Sequence, residues 1–178
     1  LDLVRSEVAI FKKLNHRNVI KLYEVFDDPE EDSLYLIEQA NILTFLFVIM
    51  EMAHKRCHNV FCINKSITSY REFTSRNYFR QMILGTKYGM ANYISFTSNI
   101  KPDNILLCDN NILKIVDFGV SEMFIKEDDA LKSGAGCSVF MPPELCSAER
   151  DGPISGRAAD IWPLDVILYF LFHARVPF

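Results

Sequence analysis

IKPDNILLCDNNILKIVDFG, residues 100–119, decides how the rest of the 178-residue chain is read. It holds two polar clusters separated by an apolar run. The first is Lys101-Pro102-Asp103-Asn104. Ile105-Leu106-Leu107 then reads as a short strand, Asp109-Asn110-Asn111 as a tight turn, and Leu113-Lys114-Ile115-Val116 as a second strand. The second cluster is Asp117-Phe118-Gly119. A hairpin of this length brings Asn104 and Asp117 to its open end, side by side. An amide oxygen and a carboxylate there form a hard-oxygen site suited to Mg²⁺, an ion that keeps several of its waters and binds phosphate. Lys101 adds a point charge for that phosphate.

The stretch resembles the catalytic loop and metal-binding segment of eukaryotic protein kinases. Its flanks agree with that family: Glu7-Val8-Ala9-Ile10 through Asn18-Val19-Ile20-Lys21-Leu22, then Met141-Pro142-Pro143-Glu144-Leu145 and Asp160-Ile161-Trp162. The wording is most similar to calcium/calmodulin-dependent kinase kinases and their fungal relatives. The resemblance implies an α+β chain with a partial, bilobal protein-kinase-like fold: a mostly helical large lobe and a remnant of the small-lobe sheet. Residues 1–53 would form part of the small lobe, up to the hinge. Residues 54–178 would form part of the large lobe, with the catalytic loop, metal-binding segment, activation segment and central helix. The implied activity is transfer of the γ-phosphate of ATP to a protein hydroxyl, with ATP and Mg²⁺ as cofactors. The Lys101-Pro102 wording, carried over from the family, favours serine and threonine acceptors over tyrosine.

Composition narrows the remaining classes. Half of the chain is hydrophobic (49%), enough for one domain with a core. A net charge of -4 with scattered Lys and Arg argues against a nucleic-acid partner. The charged opening residues do not read as a signal peptide. Five cysteines without framework spacing fit a reducing, cytoplasmic setting. Cys57 and Cys62 lie near His54 and His58, but no second ligand pair at finger spacing follows, so a polar loop with free thiols is preferred to a zinc site. Residues 42–50, ILTFLFVIM, are about half as long as a membrane span requires and are flanked by Glu38, Gln39 and Glu51. A buried strand is expected, and no membrane partner.

Residues 3–14 read as an amphipathic helix with Val4, Val8, Phe11 and Leu14 on one face. The resemblance matches Glu7 to the acidic residue that pairs with a phosphate-binding lysine, which would lie upstream. No G-x-G-x-x-G occurs in residues 1–178. Residues 18–26 read as a strand, 27–32 as an acidic turn, and Leu34–Ile37 as the start of the next strand. Residues 47–53 read equally well as the end of that strand or as a plain buried strand, with 37–46 as extra sequence between. In the first case Met50, Glu51 and Ala53 match positions around the adenine, and Leu106 is a further cofactor-binding match. Residues 54–70 read as a loop. Residues 71–88 recover a helical period, with Phe79, Met82 and Ile83 as the apolar stripe, Arg76, Arg80 and Lys87 on the wet side, and Thr74 or Ser75 as cap.

Residues 97–99 depart from the family. Thr97, Ser98 and Asn99 stand where it writes His-Arg-Asp. Asn99 occupies the catalytic position, but a neutral amide hydrogen-bonds a hydroxyl without taking its proton. Ser98 cannot hold an activation-loop phosphate, and Gly134 stands where the phosphorylated Thr belongs. Lys126–Asp129 read as a charged, mobile patch. Residues 157–173 read as the apolar central helix, with Asp160 matched to the residue that caps the catalytic loop. Pro163 predicts a helix that starts or kinks near Asp160, since an interior proline costs about 3 kcal/mol. Blocks 37–46 and 89–99 lack kinase character, which leaves two alternatives open. One is an imperfectly assembled gene product. The other is a pseudokinase scaffold that keeps nucleotide-binding remnants and meets a protein partner instead of a substrate.

Overall fold

A computed structural model of the chain describes residues 10, 12–28, 33–38, 58–59, 70–96, 100–116, 121–124, 128–131, 139–147 and 152–178. Three small antiparallel sheets and two long helices are built from them. Strands β1 (Leu22–Asp28) and β2 (Ser33–Glu38) pair around the acidic turn anticipated between them, with Phe26 opposite Tyr35. The strand begins at Leu22 rather than 18, because Val19 is occupied elsewhere, in a parallel bridge to Ile115. A two-residue strand β3 (His58–Asn59) lies within the stretch read as a loop and pairs with β5 (Ile105–Cys108). β5 in turn pairs with β6 (Ile112–Ile115).

The β5–β6 hairpin forms where the sequence reading placed it. Asn110 and Asn111 carry its turn at φ 60° and 57°. This left-handed region strains most side chains, but a short amide tolerates it. Cys108 and Ile112 close the ladder on the strand side of the turn. Cys108 is disulfide-bonded, and Cys146 is free and exposed; Cys57 and Cys62, read as free thiols of a polar loop, lie outside the described residues.

Helix α1 (Glu72–Ala91) runs for 20 residues. Its buried face is Ser75, Tyr78, Met82, Gly85, Thr86 and Gly89, at the three- and four-residue spacing of one helical stripe. The stripe differs from the expected one. Ile83 and Leu84 are 40% and 41% exposed, and Phe79 is only partly buried. The cause is close packing. A Cβ on Gly85 would stand 2.9 Å from the Asn18 carbonyl oxygen and from Ile115 Cδ1, and one on Gly89 would overlap the Phe96 ring. The buried face is therefore paved with small residues, which a hydrophobicity reading passes over. Neither Thr74 nor Ser75 is the cap. Arg71 precedes the helix without a side-chain cap bond, and Ser75 Oγ donates a 3.5 Å bond to Tyr70 O.

After α1, β4 (Ile94–Ser95) pairs with β7 (Glu122–Met123). Next comes the short α2 (Pro143–Cys146), and then α3 (Gly156–His173), 18 residues long. α3 starts at Gly156, ahead of the expected start near Asp160, and contains Pro163 in its interior. Two terms offset the lost hydrogen bond. Ser155 caps the N-terminus, its Oγ accepting from the Ala158 amide at 3.1 Å. Leu164, Val166, Ile167 and Leu171 are all buried along the helix, each contributing roughly 1.5–3 kcal/mol. The core joins Leu164, Ile167 and Leu171 to Tyr78 and Met82 of α1, Ile94 and Phe96 after it, Leu113 and Ile115 of β6, and Ile10, Leu14, Val19 and Ile20. Of the expected N-terminal helix only its end is described: Ile10 and Leu14 are buried, while Val4, Val8 and Phe11 lie outside the described residues. Residues 42–50 also lie outside them. No helix among the described residues is long and apolar enough to cross a membrane.

Candidate nucleotide and metal site

The site starts from one turn of 3₁₀ helix, Pro102–Asn104, in which Pro102 supplies a preset φ at the first position. The Asn104 amide donates to Lys101 O at 3.0 Å and closes the turn. The chain then passes into β5. Register fixes the other side: Ile105 stands opposite Ile115, and Leu106 opposite Lys114. One step further out, Val116 N donates to Asn104 O at 3.0 Å. The open end of the hairpin is thus zipped up to residues 104 and 116. Asn104 is buried, at 6% exposure, and Lys101 is half-buried. Leu106 is 7% exposed, between Asn59 on one neighbouring strand and Lys114 on the other.

The outer edge of β6 is also paired. Ile20 N donates to Ile115 O at 2.9 Å, and Ile115 N to Asn18 O at 3.0 Å. Leu113 presents its amide to Gln81 Oε1 at 2.8 Å and its carbonyl to Asn18 Nδ2 at 2.9 Å. Lys114 Nζ donates to Arg17 O at 3.2 Å, and burial lowers its pKa. His16 stacks on Tyr88 with ring centroids 4.8 Å apart, and its Nδ1 accepts from the Asn18 amide at 3.1 Å. Desolvation, and then the charge of Lys114, lower the His16 pKa, which keeps Nδ1 free to accept.

The loop that carries positions 97–99 is anchored on both sides. Before it, Asp160 of α3 accepts from Phe96 N at 3.0 Å through Oδ2 and from Ser95 Oγ at 2.9 Å through Oδ1. After it, Ile100 is 1% exposed in the core. Asp160 therefore ties α3 to the two residues just before position 97. A 0% exposed carboxylate is stable here because polar donors face it.

The segment read as a mobile charged patch is docked at its end. Asp129 Oδ2 accepts from Ser155 Oγ at 2.5 Å and from Arg157 N at 3.1 Å, while its carbonyl accepts from Gly156 N at 2.8 Å. Leu131 N donates to Ile154 O at 2.9 Å. The Ser155 hydrogen bond is the main cause that lowers the Asp129 pKa, against a smaller opposing effect of burial. The start of α3 needs amide acceptors, and an aspartate supplies one. Glu144 of α2 is exposed.

Three of the sequence-matched site residues, Lys101, Asn104 and Leu106, are brought together at the base of one hairpin. Glu7, Met50, Glu51, Ala53, Asn99 and Asp117 lie outside the described residues. Asn18, Gln81, Ser95 and Asp129 were missed as structural partners of the site. Asn18, a polar residue beside the apolar Val19-Ile20, was the one with a signal in the sequence.

Comparison with known proteins agrees with this geometry. A family model described as "Protein kinase domain" matches residues 2–178. A probable serine/threonine-protein kinase of Dictyostelium discoideum is 37% identical over 99% of this chain and 22% of its own length. A calcium/calmodulin-dependent protein kinase kinase of Emericella nidulans is 41% identical over 75% of this chain and 26% of its own. One of Caenorhabditis elegans is 38% identical over 100% of this chain and 30% of its own. The chain thus spans less than a third of the length of each of these relatives. With the hairpin and the central helix in the family's order, the chain belongs to the protein kinase domain family, among relatives that are serine/threonine kinases.

Proposed function

We propose that residues 1–178 are the middle of a cytoplasmic serine/threonine kinase domain that binds ATP with Mg²⁺, with residues 1–53 belonging to the small lobe and 54–178 to the large one. The observation that carries the reading is the zipped hairpin end, where Val116 N meets Asn104 O. One residue beyond Val116 in the sequence is Asp117. The Asn104 side-chain oxygen and the Asp117 carboxylate, next in sequence after Val116, are hard-oxygen donors of the kind that fits Mg²⁺. Asn104 and Asp117 would hold the ion, which supplies charge neutralisation on the phosphates. Lys101 would hold the transferring phosphate. Leu106, Met50, Glu51 and Ala53 would surround the adenine, with Glu7 oriented toward a phosphate-binding lysine. A protein hydroxyl is the acceptor.

The experiment is a titration of the chain with ATP in the presence and absence of Mg²⁺, read by thermal shift. Ligand at 100 times its Kd stabilises a fold by about 2.7 kcal/mol, an easily read shift. Mg²⁺-dependent stabilisation abolished by Asp117→Ala supports the reading, and no shift in the unsubstituted chain rejects it. A second reading rests on Asn99. With a neutral amide where the proton-accepting carboxylate belongs, the chain is a pseudokinase scaffold that binds nucleotide and a protein partner without transferring phosphate. A radiolabelled phosphate-transfer assay divides the two. Transfer sensitive to Asp117→Ala favours the enzyme, and binding without transfer favours the scaffold.

A further inference from the structure

Two side-chain amides do the work of a missing strand along β6. In an antiparallel pair, every second residue turns its N–H and C=O away from its partner. Leu113 is such a residue, and both of its outward groups are buried or nearly so. Gln81 Oε1 accepts its N–H at 2.8 Å, and Asn18 Nδ2 donates to its C=O at 2.9 Å. The two amides are joined to each other, Asn18 Nδ2 donating to Gln81 Oε1 at 2.8 Å. Gln81 Nε2 reaches on to Asn111 O in the hairpin turn at 2.9 Å. Two residues along, the backbone of residues 18–20 takes over, pairing both polar groups of Ile115. Asn18 is 3% exposed, so its amide has no solvent alternative. Gly85, one turn from Gln81, leaves room for the Asn18 carbonyl to lie against α1.

The geometry points to Asn18 and Gln81 as a positioning couple that sets where β6 meets Asn104, and hence the metal-binding end of the hairpin, relative to α1. This rests on the nucleotide reading above for its functional consequence but not for its structural one. Neither residue touches the phosphates in this scheme. They act through Leu113, Ile115 and the Val116–Asn104 bond. The couple also ties residues 13–18 to α1, together with Tyr88, whose Oη accepts from Asn15 N at 2.9 Å.

The test uses the full chain, Gln81→Ala and Gln81→Glu, with two readouts. The first is amide hydrogen exchange. Gln81→Ala should accelerate exchange at Leu113, Ile115 and Val116 by about tenfold relative to Ile167 and Leu171 of α3, the factor expected for one lost buried hydrogen bond. Gln81→Glu keeps the acceptor for Leu113 and loses only the donor to Asn111, so protection at Leu113 should return to near its original value. The second is the Kd for ATP with Mg²⁺ and with a chelator. Gln81→Ala should shrink the affinity gained from Mg²⁺ several-fold while leaving the chelator value unchanged. Equal acceleration at all core amides, or none, overturns the inference whatever the nucleotide result. An unchanged Mg²⁺ gain in a chain that binds ATP overturns its functional half. A chain that binds no ATP sinks the nucleotide reading instead, and the exchange pattern then decides the positioning claim alone.

Discussion

Replacing Asp160 by alanine tests whether α3 holds Ser95 and Phe96 through one carboxylate. The side chain is 0% exposed and accepts from Phe96 N and Ser95 Oγ. Hydrogen bonds to a charged group contribute roughly 1.5–3 kcal/mol, and a buried donor left without an acceptor costs about 1–3 kcal/mol. The two donors are not equivalent. Ser95 Oγ already lies 3.2 Å from Gly156 O and can turn its proton there. Phe96 N is a main-chain donor of a 0% exposed residue and cannot turn as a hydroxyl does, so its amide bears most of the loss. Against this, alanine removes a carboxylate whose burial is itself unfavourable. The expected net cost is about 2–4 kcal/mol. Asp160→Asn should cost only about 1 kcal/mol: the amide oxygen accepts from Phe96, its NH₂ donates to Ser95 Oγ, and Ser95 donates to Gly156. For a chain of this size each kcal/mol moves Tm by roughly 2–4 °C. Urea and thermal unfolding of the two variants measure both numbers. An alanine variant that costs less than about 1 kcal/mol, or an asparagine variant as damaged as the alanine one, refutes the reasoning.

Three further outcomes follow from the same packing. Gly89→Ala gains about 1 kcal/mol of helix propensity but places a methyl in the ring of Phe96, which is fully buried, and overpacking costs roughly 1–3 kcal/mol; Tm should fall, and a rise would mean that the ring moves freely. Thr86 Oγ1 is buried with no hydrogen-bond partner among the described residues, so Thr86→Val should raise stability by about 1 kcal/mol in a urea titration, and a loss would reveal a partner for the hydroxyl. Asp129 has a pKa lowered from 3.8, so its contribution is present above that pH and disappears as pH falls through the lower folded value. Asp129→Asn should therefore flatten the change in Tm across that acidic window, and an unchanged slope would assign it to other carboxylates.

How much was legible in the sequence depends on whether a residue's role is local. The hairpin was readable because apolar strand residues and an Asp-Asn-Asn turn encode it within a few positions, and the register that zips residue 104 to 116 follows from turn length alone. The face of α1 was not readable. Hydrophobicity selects Ile83, whereas the structure buries Ser75, Gly85, Thr86 and Gly89, because what matters there is how closely the Asn18 backbone and the Phe96 ring approach. Gln81 was invisible for a similar reason. A glutamine on a helix looks like a solvated residue, and only the outward amide of Leu113, 32 positions away, makes it a partner. The docking of Asp129 was concealed by its charged neighbours, which suggest a free loop until the N-terminus of α3 is in place to receive it.

That N-terminus carries more than its share of the architecture. Within the stretch Ser155–Asp160, Ser155 caps the helix and donates to Asp129, Gly156 and Arg157 donate backbone amides to Asp129, and Asp160 accepts from Phe96 N. Gly156 is required by space. A Cβ there would stand 2.6 Å from the Phe124 ring and 2.9 Å from Leu131, so any larger residue would push both approaching segments away. One and a half turns of helix thus hold the loop before residues 97–99 and the segment around residue 129 at the same time.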